Sequence, residues 1–167
     1  MSVGKEFRTI KELQEYLKKE IADSMLKAGK VAERVVREHV DKDVYQAYSP
    51  SVYEATFELR ESLFTKTPQI KNNIIEVEVK HNTDLINSYE PNQHHSVVED
   101  YNPQDVSDWI PYIVHEGKTA NIWGDSSDAA YLKPRPYFDN AREELEQSKE
   151  HVEALKNDLR SKGIVVV

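Results

Sequence analysis

The sequence predicts an α+β fold with a long N-terminal helix, a small, mainly antiparallel sheet and a long C-terminal helix. Near both ends of the chain, apolar residues recur at steps of three and four, which is the spacing of an amphipathic helix. Between Ile75 and Lys80, apolar and charged residues alternate, which is the period of a strand with one buried face. Because the chain has 167 residues, we expect a single domain over residues 1–167.

The N-terminal helix is predicted to begin near Thr9, since Thr9 and Glu12 have the spacing of a capping box. Apolar side chains then recur at helical spacing. They are Ile10, Leu13, Leu17, Ile21, Ala28, Val31, Ala32, Val35 and Val36. Gly29 lies inside this pattern and costs about 1 kcal/mol relative to alanine. It indicates a bend, the close approach of another chain, or a tolerated weak point.

The middle of the chain is predicted to hold a short helix, two strands and two long loops. Phe57, Leu59 and Leu63 fit either a helix or a strand, and we expect a short helix there. After the strand at residues 75–80, a helical turn is expected to end at Pro111. The predicted features that complete this region are a second strand at residues 112–117 and polar loops at about 82–105 and 118–131, long enough to be functional or mobile.

Tyrosines cluster where the first helix is expected to end, in a stretch of turn-forming residues. Tyr45, Tyr48 and Tyr53 fit an interface segment and fit the edge of a core equally well.

Residues 133–138 (Lys-Pro-Arg-Pro-Tyr-Phe), here called the proline segment, lead into the C-terminal helix. Each proline fixes its own φ and keeps the preceding residue extended, so Lys133 and Arg135 are held on a stiff backbone. Asp139 or Asn140 is predicted to cap the helix that follows. Its small and apolar stripe consists of Ala141, Leu145, Ser148, Val152, Leu155 and Leu159. Gly163 is predicted to end the helix in the left-handed conformation, before an apolar tail at 164–167.

Composition narrows the classes of function. The chain has no cysteine, which excludes disulfides, thiolate metal sites and a cysteine nucleophile, and no apolar run of membrane-spanning length. We therefore expect assembly in a reducing cytoplasm and no membrane contact. The net charge of −8 argues against broad attraction to a phosphate backbone. It fits a surface that DNA passes without adhering, and it fits ordinary solubility charge as well.

The search for catalytic chemistry predicts no enzyme, no cofactor and no metal. Five scattered glycines form neither a phosphate-binding loop nor a dinucleotide fingerprint. A metal set can be imagined, although histidines in a polar loop are more often solvated; it would consist of His81, His94, His95 and Glu99. Glu76 and Glu78 could form an acid/base pair but better fit a solvated strand face. His115 fits a hydrogen-bonding residue at the edge of a core.

Three segments, in order along the chain, carry a resemblance to a known family. They are residues 56–63 (Thr-Phe-Glu-Leu-Arg-Glu-Ser-Leu), residues 111–117 (Pro-Tyr-Ile-Val-His-Glu-Gly), and the proline segment with its acidic helix. In this order and spacing they resemble the tail-component family of tailed-phage neck proteins, of lambdoid siphophages and prophage-derived contractile particles. Members show a Thr-Gly-x-Leu-x-x-Ser turn and helix, a strand ending in Tyr-Val-Glu-x-Gly-Thr, and an Arg-Pro-Phe strap.

This chain departs from the family pattern at three places. Phe57 stands where the turn glycine lies, Lys118 follows Gly117 before the threonine, and His115 separates the valine from the glutamate. The resemblance implies a non-enzymatic virion protein of the head–tail junction (neck or tail completion), located in the neck or tail. Such a protein forms a ring, sixfold or twelvefold, around the DNA channel, between head-completion or connector proteins and the tail terminator or tube, without sequence-specific DNA binding.

Ring assembly needs two different complementary patches on each subunit, because a head-to-tail contact repeats by rotation. We expect one patch at the proline segment, since arginine and aromatic side chains are enriched at interface centres. The candidate interface residues are Lys133, Arg135, Pro136, Tyr137, Phe138 and Trp123. The alternative is that Pro136, Tyr137 and Phe138 pack the last helix on its own core. A second function class is a small protein-binding or regulatory module that uses its two amphipathic helices.

Overall fold

The computed structural model describes residues 6–47, 57–86, 108, 110–117 and 133–166, and it confirms the α+β fold. Helix α1 spans Ile10–His39 and continues as a π-helical turn, Val40–Tyr45. The elements that follow are α2 (Glu58–Glu61), β1 (Leu63–Thr65), β2 (Gln69–Lys71), β3 (Ile74–Glu76), β4 (Val79–His81), a 3-10 turn (Thr83–Leu85), α3 (Ile110–Glu116), α4 (Tyr137–Ser148) and α5 (Glu150–Ser161). Within these described ranges, every helix is too short or too polar to cross a bilayer.

The chain divides into two compact units, each assembled from separate stretches of sequence. Unit 1 comprises Met1–Ala32, Thr65–Val79 and Lys149–Val167, and unit 2 comprises Glu33–Phe64 and Lys80–Ser148. In unit 1 the buried side chains include Ser24, Ala28, Asp158 and Leu159. In unit 2 they include Val35, Val36, Val40, Val44, Leu59, Leu63, Ile86, Tyr137 and Ala141.

The start of α1 confirms one of the two hydrogen bonds of the predicted capping box, while the second is made to Arg8 instead of Thr9. The Glu12 N–H donates to Thr9 Oγ1 over 3.1 Å, and the Glu12 carboxylate accepts from the Arg8 N–H over 2.8 Å. Further along, Ala28, Val35 and Val36 are buried as the apolar spacing predicts. The first turns differ, because Ile10 remains 77% exposed.

Gly29 marks a close approach, and the neighbour belongs to the same chain rather than to another one. A Cβ at this position would lie 2.6 Å from Thr65 Cγ2 and 2.8 Å from Val77 Cγ2. Both distances are shorter than van der Waals contact, so any larger side chain would displace the β segments that pack against α1 in unit 1. The glycine therefore allows helix and strands to touch.

The alternation of residues 75–80 is confirmed, but the predicted strand is two strands. Odd-numbered residues from Ile75 are partly buried and even-numbered ones are exposed, with residues 77–78 separating β3 from β4. β2 and β3 form an antiparallel hairpin in which Ile70 lies opposite Ile75. Its turn consists of Asn72 and Asn73, with φ of 50° and 62°, as a two-residue hairpin turn of this hand requires. β1 and β4 form the other two-stranded sheet.

The second predicted strand, at residues 112–117, is wrong, because these residues belong to helix α3. Pro111 does not end a helix but lies in the first turn of α3, where a missing N–H removes no helical hydrogen bond. Gly117, with φ of 67°, follows the last residue of α3. A short apolar run cannot distinguish a strand from a buried helix by periodicity, which explains the error. The expected short helix near Leu59 is confirmed as α2.

The C-terminal helix begins earlier than predicted and is interrupted once. The Pro136 carbonyl accepts the first helical bond, from the Asn140 N–H over 2.9 Å, so Asp139 and Asn140 lie inside the first turn instead of capping it. Lys149, with φ of 56°, separates α4 from α5, and the stripe from Ala141 to Leu159 is therefore not one continuous rod. Asp139 instead forms an ion pair with Arg142 over 3.0 Å.

The predicted ending at Gly163 is confirmed. Its φ is 78°, its N–H donates to the Arg160 carbonyl over 2.9 Å, and the Ile164 N–H donates to the Leu159 carbonyl over 3.0 Å. This pair of bonds is the Schellman arrangement. Residues 164–166 beyond it have no regular secondary structure, and Val165 is 91% exposed.

Candidate functional site

The proline segment is held at its centre and exposed at its start. Lys133 and Pro134 are exposed, whereas Arg135 is partly buried. The Arg135 N–H donates to the carbonyls of Val114 and His115, each over 3.1 Å, at the end of α3, and its guanidinium donates to the Val44 carbonyl over 3.4 Å. Arg135 therefore ties this segment to two other elements of unit 2. Of the two cationic residues in the proline segment, Lys133 is the exposed one.

Tyr137 lies inside unit 2 and is fully buried. Its ring packs edge-on against His115, with centroids 5.5 Å apart, and beside Phe138, with centroids 5.0 Å apart. Tyr137 therefore packs in the core of its own chain, as the alternative interpretation describes, and exposes no surface to a neighbouring subunit. Pro136 and Phe138 are partly buried beside it. Trp123, the remaining candidate interface residue, lies outside the described residues.

A chain of hydrogen bonds crosses the core of unit 2 and joins Ser62, His81 and Tyr137. Ser62 Oγ lies 2.9 Å from the Leu59 carbonyl and 2.7 Å from His81 Nδ1, while His81 Nε2 lies 2.9 Å from the Tyr137 hydroxyl. The carbonyl can only accept, so it takes the Ser62 proton. Ser62 Oγ then accepts from Nδ1–H, and His81 Nε2 accepts from the Tyr137 hydroxyl, whose proton is shared with the Pro111 carbonyl 3.3 Å away.

Burial also determines the protonation of His81 and Tyr137. Desolvation lowers the pKa of His81 to about 4, with the charge of Arg37 acting in the same direction, so the imidazole is neutral at pH 7. Desolvation also raises the pKa of the Tyr137 hydroxyl, which stays protonated. Ser62 is fully buried, so no substrate can reach its hydroxyl. The arrangement therefore orders a core and does not form a nucleophilic site.

The structure also locates the other residues considered for chemistry. Both nitrogens of His81 have partners within unit 2, and the other three members of the imagined metal set, His94, His95 and Glu99, lie outside the described residues. Within the described ranges, no three His, Asp or Glu side chains are grouped for a metal ion. Glu76 and Glu78 are exposed, and Glu78 pairs with Lys66 over 2.8 Å. His115 Nε2 faces the Asp139 carboxylate at 3.3 Å.

Sequence reasoning missed a cluster around His39, where α1 passes into the π-helical turn. His39 Nδ1 lies 2.9 Å from an Asp43 carboxylate oxygen, and Nε2 lies 3.0 Å from Glu144. The Asn140 amide donates to the same Asp43 oxygen over 2.9 Å. The four-residue spacing of His39 and Asp43 could have indicated half of this cluster. Its other half comes from α4, about a hundred residues away.

Sequence reasoning also missed the polar network of unit 1, which centres on Asp158. This buried carboxylate accepts hydrogen bonds from Ser24 Oγ over 2.7 Å and from Lys162 Nζ over 3.1 Å, and it pairs with Lys27. The hydrogen bond from Lys27, followed by that from Ser24, holds the pKa of Asp158 below its ordinary value. Nothing in the local sequence signals a contact between Ser24 and Asp158.

Phe57 has a backbone conformation that its side chain does not favour. Its φ is 60° and its ψ is 9°, a left-handed conformation that favours glycine. The ring lies 4.7 Å from that of Tyr45 and 5.0 Å from the Arg60 guanidinium, measured to ring centroids. These contacts hold an unfavourable backbone in place. Among the clustered tyrosines, Tyr45 lies at this core edge, while Tyr48 and Tyr53 fall outside the described residues.

Comparison with known proteins gives one family and one relative. The SPbeta prophage-derived uncharacterized protein YomN of Bacillus subtilis (strain 168) is 24% identical over 161 residues, which cover 94% of this chain and 96% of that protein. No solved structure matches the chain. The YomN family model matches residues 9–161, from the cap of α1 to the end of α5. Since this match spans nearly the whole fold described above, the chain belongs to the YomN family.

Proposed function

We propose that this protein is a structural component of a tailed-phage particle and acts at the head–tail junction. In this proposal it is a neck or tail completion protein that forms a ring around the DNA channel. The ring joins the head connector to the tail terminator or tube, and the protein assembles in the host cytoplasm and remains in the virion. It binds no specific DNA sequence and catalyses no reaction.

The observation that carries the proposal is the similarity to a prophage-derived protein over almost the full length of both chains. At 24% identity the match extends from end to end and is not limited to one motif. A prophage-derived relative supports a phage origin for the chain. The specific place in the particle rests on the resemblance of residues 56–63 and of the proline segment to neck proteins.

The backbone at Phe57 adds support for that resemblance. The family motif has a glycine at this position, and the chain adopts here a φ of 60°, the region that glycine enters most readily. The turn geometry therefore agrees with the motif even though the residue does not. The block at residues 111–117 agrees less well, because it is helical where the motif describes a strand end.

The surface of the described chain supports assembly with other polypeptides. Both units expose large apolar side chains to solvent. In unit 1 these are Ile10, Leu13, Ile70, Ile74 and Val165, and in unit 2 they are Phe57, Leu85 and Tyr112. A head-to-tail ring needs two non-identical patches on each subunit, and the two units could supply one each. Loops 82–105 and 118–131 are proposed to reach adjoining rings; apart from residues 82–86, they lie outside the described residues.

Isolated particles provide the test. Phage or induced prophage particles encoded with this gene are purified, their proteins are identified by mass spectrometry, and antibody-labelled particles are imaged by electron microscopy. We expect the chain in the particle, labelled at the junction of head and tail, and we expect its deletion to yield separated heads and tails. Complete, infectious particles from the deletion strain would contradict the proposal.

The alternative, a small protein-binding or regulatory module, predicts a different result. The chain would then be absent from purified particles, and it would remain a monomer or dimer when connector and tail proteins are added. Mass measurement of such mixtures distinguishes the two functions.

A further inference from the structure

The two units of the chain carry opposite net charge. Unit 1 contains 13 Lys and Arg against 10 Asp and Glu, a net charge of +3, and unit 2 contains 9 against 20, a net charge of −11. Together these equal the −8 of the whole chain. The imbalance is invisible in the linear sequence, because each unit is assembled from separate stretches. The overall acidity therefore belongs to unit 2 alone.

On unit 1, the excess positive charge is available at the surface. Lys11 and Lys19 on α1 and Lys71 at the end of β2 are exposed and form no ion pair within the described part of the chain. Exposed apolar side chains adjoin them in sequence, with Ile10 beside Lys11 and Ile70 beside Lys71. Unit 1 therefore exposes both apolar side chains and cations without an ion-pair partner in the described chain, and the cations can attract an acidic surface.

Unit 2 exposes several carboxylates without an ion-pair partner in the described chain. Glu143 and Glu146 are exposed one turn apart on α4, and Asp84 is exposed on the 3-10 turn; none of the three forms an ion pair with another described residue. Leu85, beside Asp84, is a large exposed apolar side chain. The exposed carboxylates of unit 2 are therefore opposite in charge to the exposed lysines of unit 1.

We propose that the chain assembles head-to-tail with copies of itself, with unit 1 of one copy docking on unit 2 of the next. This inference rests on the proposed function, whose ring it explains: two different complementary surfaces on one chain produce a heterologous contact that repeats by rotation. Unlike charges accelerate encounter and fix orientation, while like charges prevent two copies from docking through the same unit. The apolar side chains supply area that charge alone does not.

Charge reversal gives a sharp test, measured by native mass spectrometry and light scattering at low ionic strength. One variant carries Lys11→Glu, Lys19→Glu and Lys71→Glu, which changes the net charge of unit 1 from +3 to −3. The other carries Glu143→Lys and Glu146→Lys, which reverses the exposed charge on α4 while unit 2 as a whole changes from −11 to −7. We expect the wild type to form oligomers and each variant alone to associate at least about tenfold more weakly, because its contact joins like charges.

Mixing the two variants restores complementarity at every contact, so an equimolar mixture is expected to form oligomers that contain both in equal number. A chain with all five substitutions is expected to assemble alone for the same reason. The matched control, Arg34→Glu with Glu38→Arg, inverts an exposed pair that is already neutralised within α1, and it leaves assembly unchanged. Circular dichroism and thermal unfolding establish that each variant is folded.

Several outcomes would overturn the inference: a monomeric wild type at low salt, reversed variants that assemble like the wild type, or a mixture that stays monomeric. Failure of this inference can be distinguished from failure of the proposed function. If the chain is found in particles but reversal has no effect, only the docking mode is wrong. If the mixture assembles but particles lack the chain, the phage role is wrong and the self-association stands.

Discussion

Units 1 and 2 each hold polar groups in their interior, but they stabilise them in opposite ways. In unit 1 the buried Asp158 stays charged, because Lys27, Ser24 and Lys162 surround it with donors. In unit 2 the central His81 stays neutral, because it is buried between one hydroxyl that accepts and one that donates. Charge is thus compensated by countercharge in one unit and removed by desolvation in the other.

Because of this difference, acid is expected to destabilise the two units in different ranges of pH. The pKa of His81 is lowered from 6.5 to about 4, so its neutral form contributes fully above pH 6.5. That contribution falls as the pH drops from 6.5 to about 4, where the unfolded chain binds a proton that the folded chain does not. The pKa of Asp158 is lowered from 3.8, so its contribution begins to decline only near and below that pH. Unit 2 is therefore expected to weaken first in acid.

The largest expected effect comes from this acid range. Between pH 6.5 and 4, protonation of His81 in the unfolded chain should lower the free energy of unfolding by about 3 kcal/mol, since each unit of pKa shift corresponds to about 1.4 kcal/mol. Urea unfolding at half-unit pH steps measures it. His81→Gln serves as the control, since its amide can donate to Ser62 and accept from Tyr137 without titrating. An equally steep decline in His81→Gln would show that His81 is not the cause.

An intermediate effect is expected in unit 1 when Asp158 is replaced by alanine. The variant removes the carboxylate that Ser24, Lys27 and Lys162 share, although Lys162 keeps Glu20. We expect this to lower the unfolding free energy by about 2 kcal/mol. Hydrogen exchange should show lost protection in α5 and in the middle of α1, around Ser24 and Lys27, with the amides of unit 2 changed less. Equal loss throughout both units would mean that they unfold as one.

The smallest effect is expected at Phe57. Phe57→Gly relieves a left-handed backbone that costs about 1 kcal/mol, and it loses the contacts with Tyr45 and Arg60, worth a similar amount. We therefore expect a change within about 1 kcal/mol of zero, measured by thermal unfolding, with Phe57→Ala clearly less stable than Phe57→Gly. If Phe57→Ala were as stable as Phe57→Gly, the backbone strain assigned to this residue would be absent.

The features that could be predicted are those in which the interacting residues are close in sequence. The capping box of Thr9 and Glu12, the alternation of residues 75–80 and the ending at Gly163 each involve bonds or periods within a few residues. The prediction of a strand at residues 112–117 was wrong, because a short apolar run fits both a helix and a strand and only packing decides between them. The break at Lys149 had no local signal either, since lysine does not favour positive φ.

The position of the proline segment could be predicted, but the burial of its side chains could not. The two prolines were enough to identify a stiff segment before the last helix, but they could not determine which of its side chains face inward. The fold buries Tyr137 completely and leaves Lys133 exposed. Burial depends on contacts with residues far away in sequence, and a single sequence does not specify those contacts.

By itself, then, the sequence determined the α+β class, the start of α1, the end of α5, the stiffness of residues 133–138 and the acidity of the whole chain. The tertiary structure alone decided how Ser24 meets Asp158, how His81 links Ser62 to Tyr137, and how one acidic sequence divides into a basic unit and an acidic unit. The physical reason is range. Backbone preferences and helical periods act over a few residues, whereas buried hydrogen bonds and surface charge depend on segments that only folding brings together.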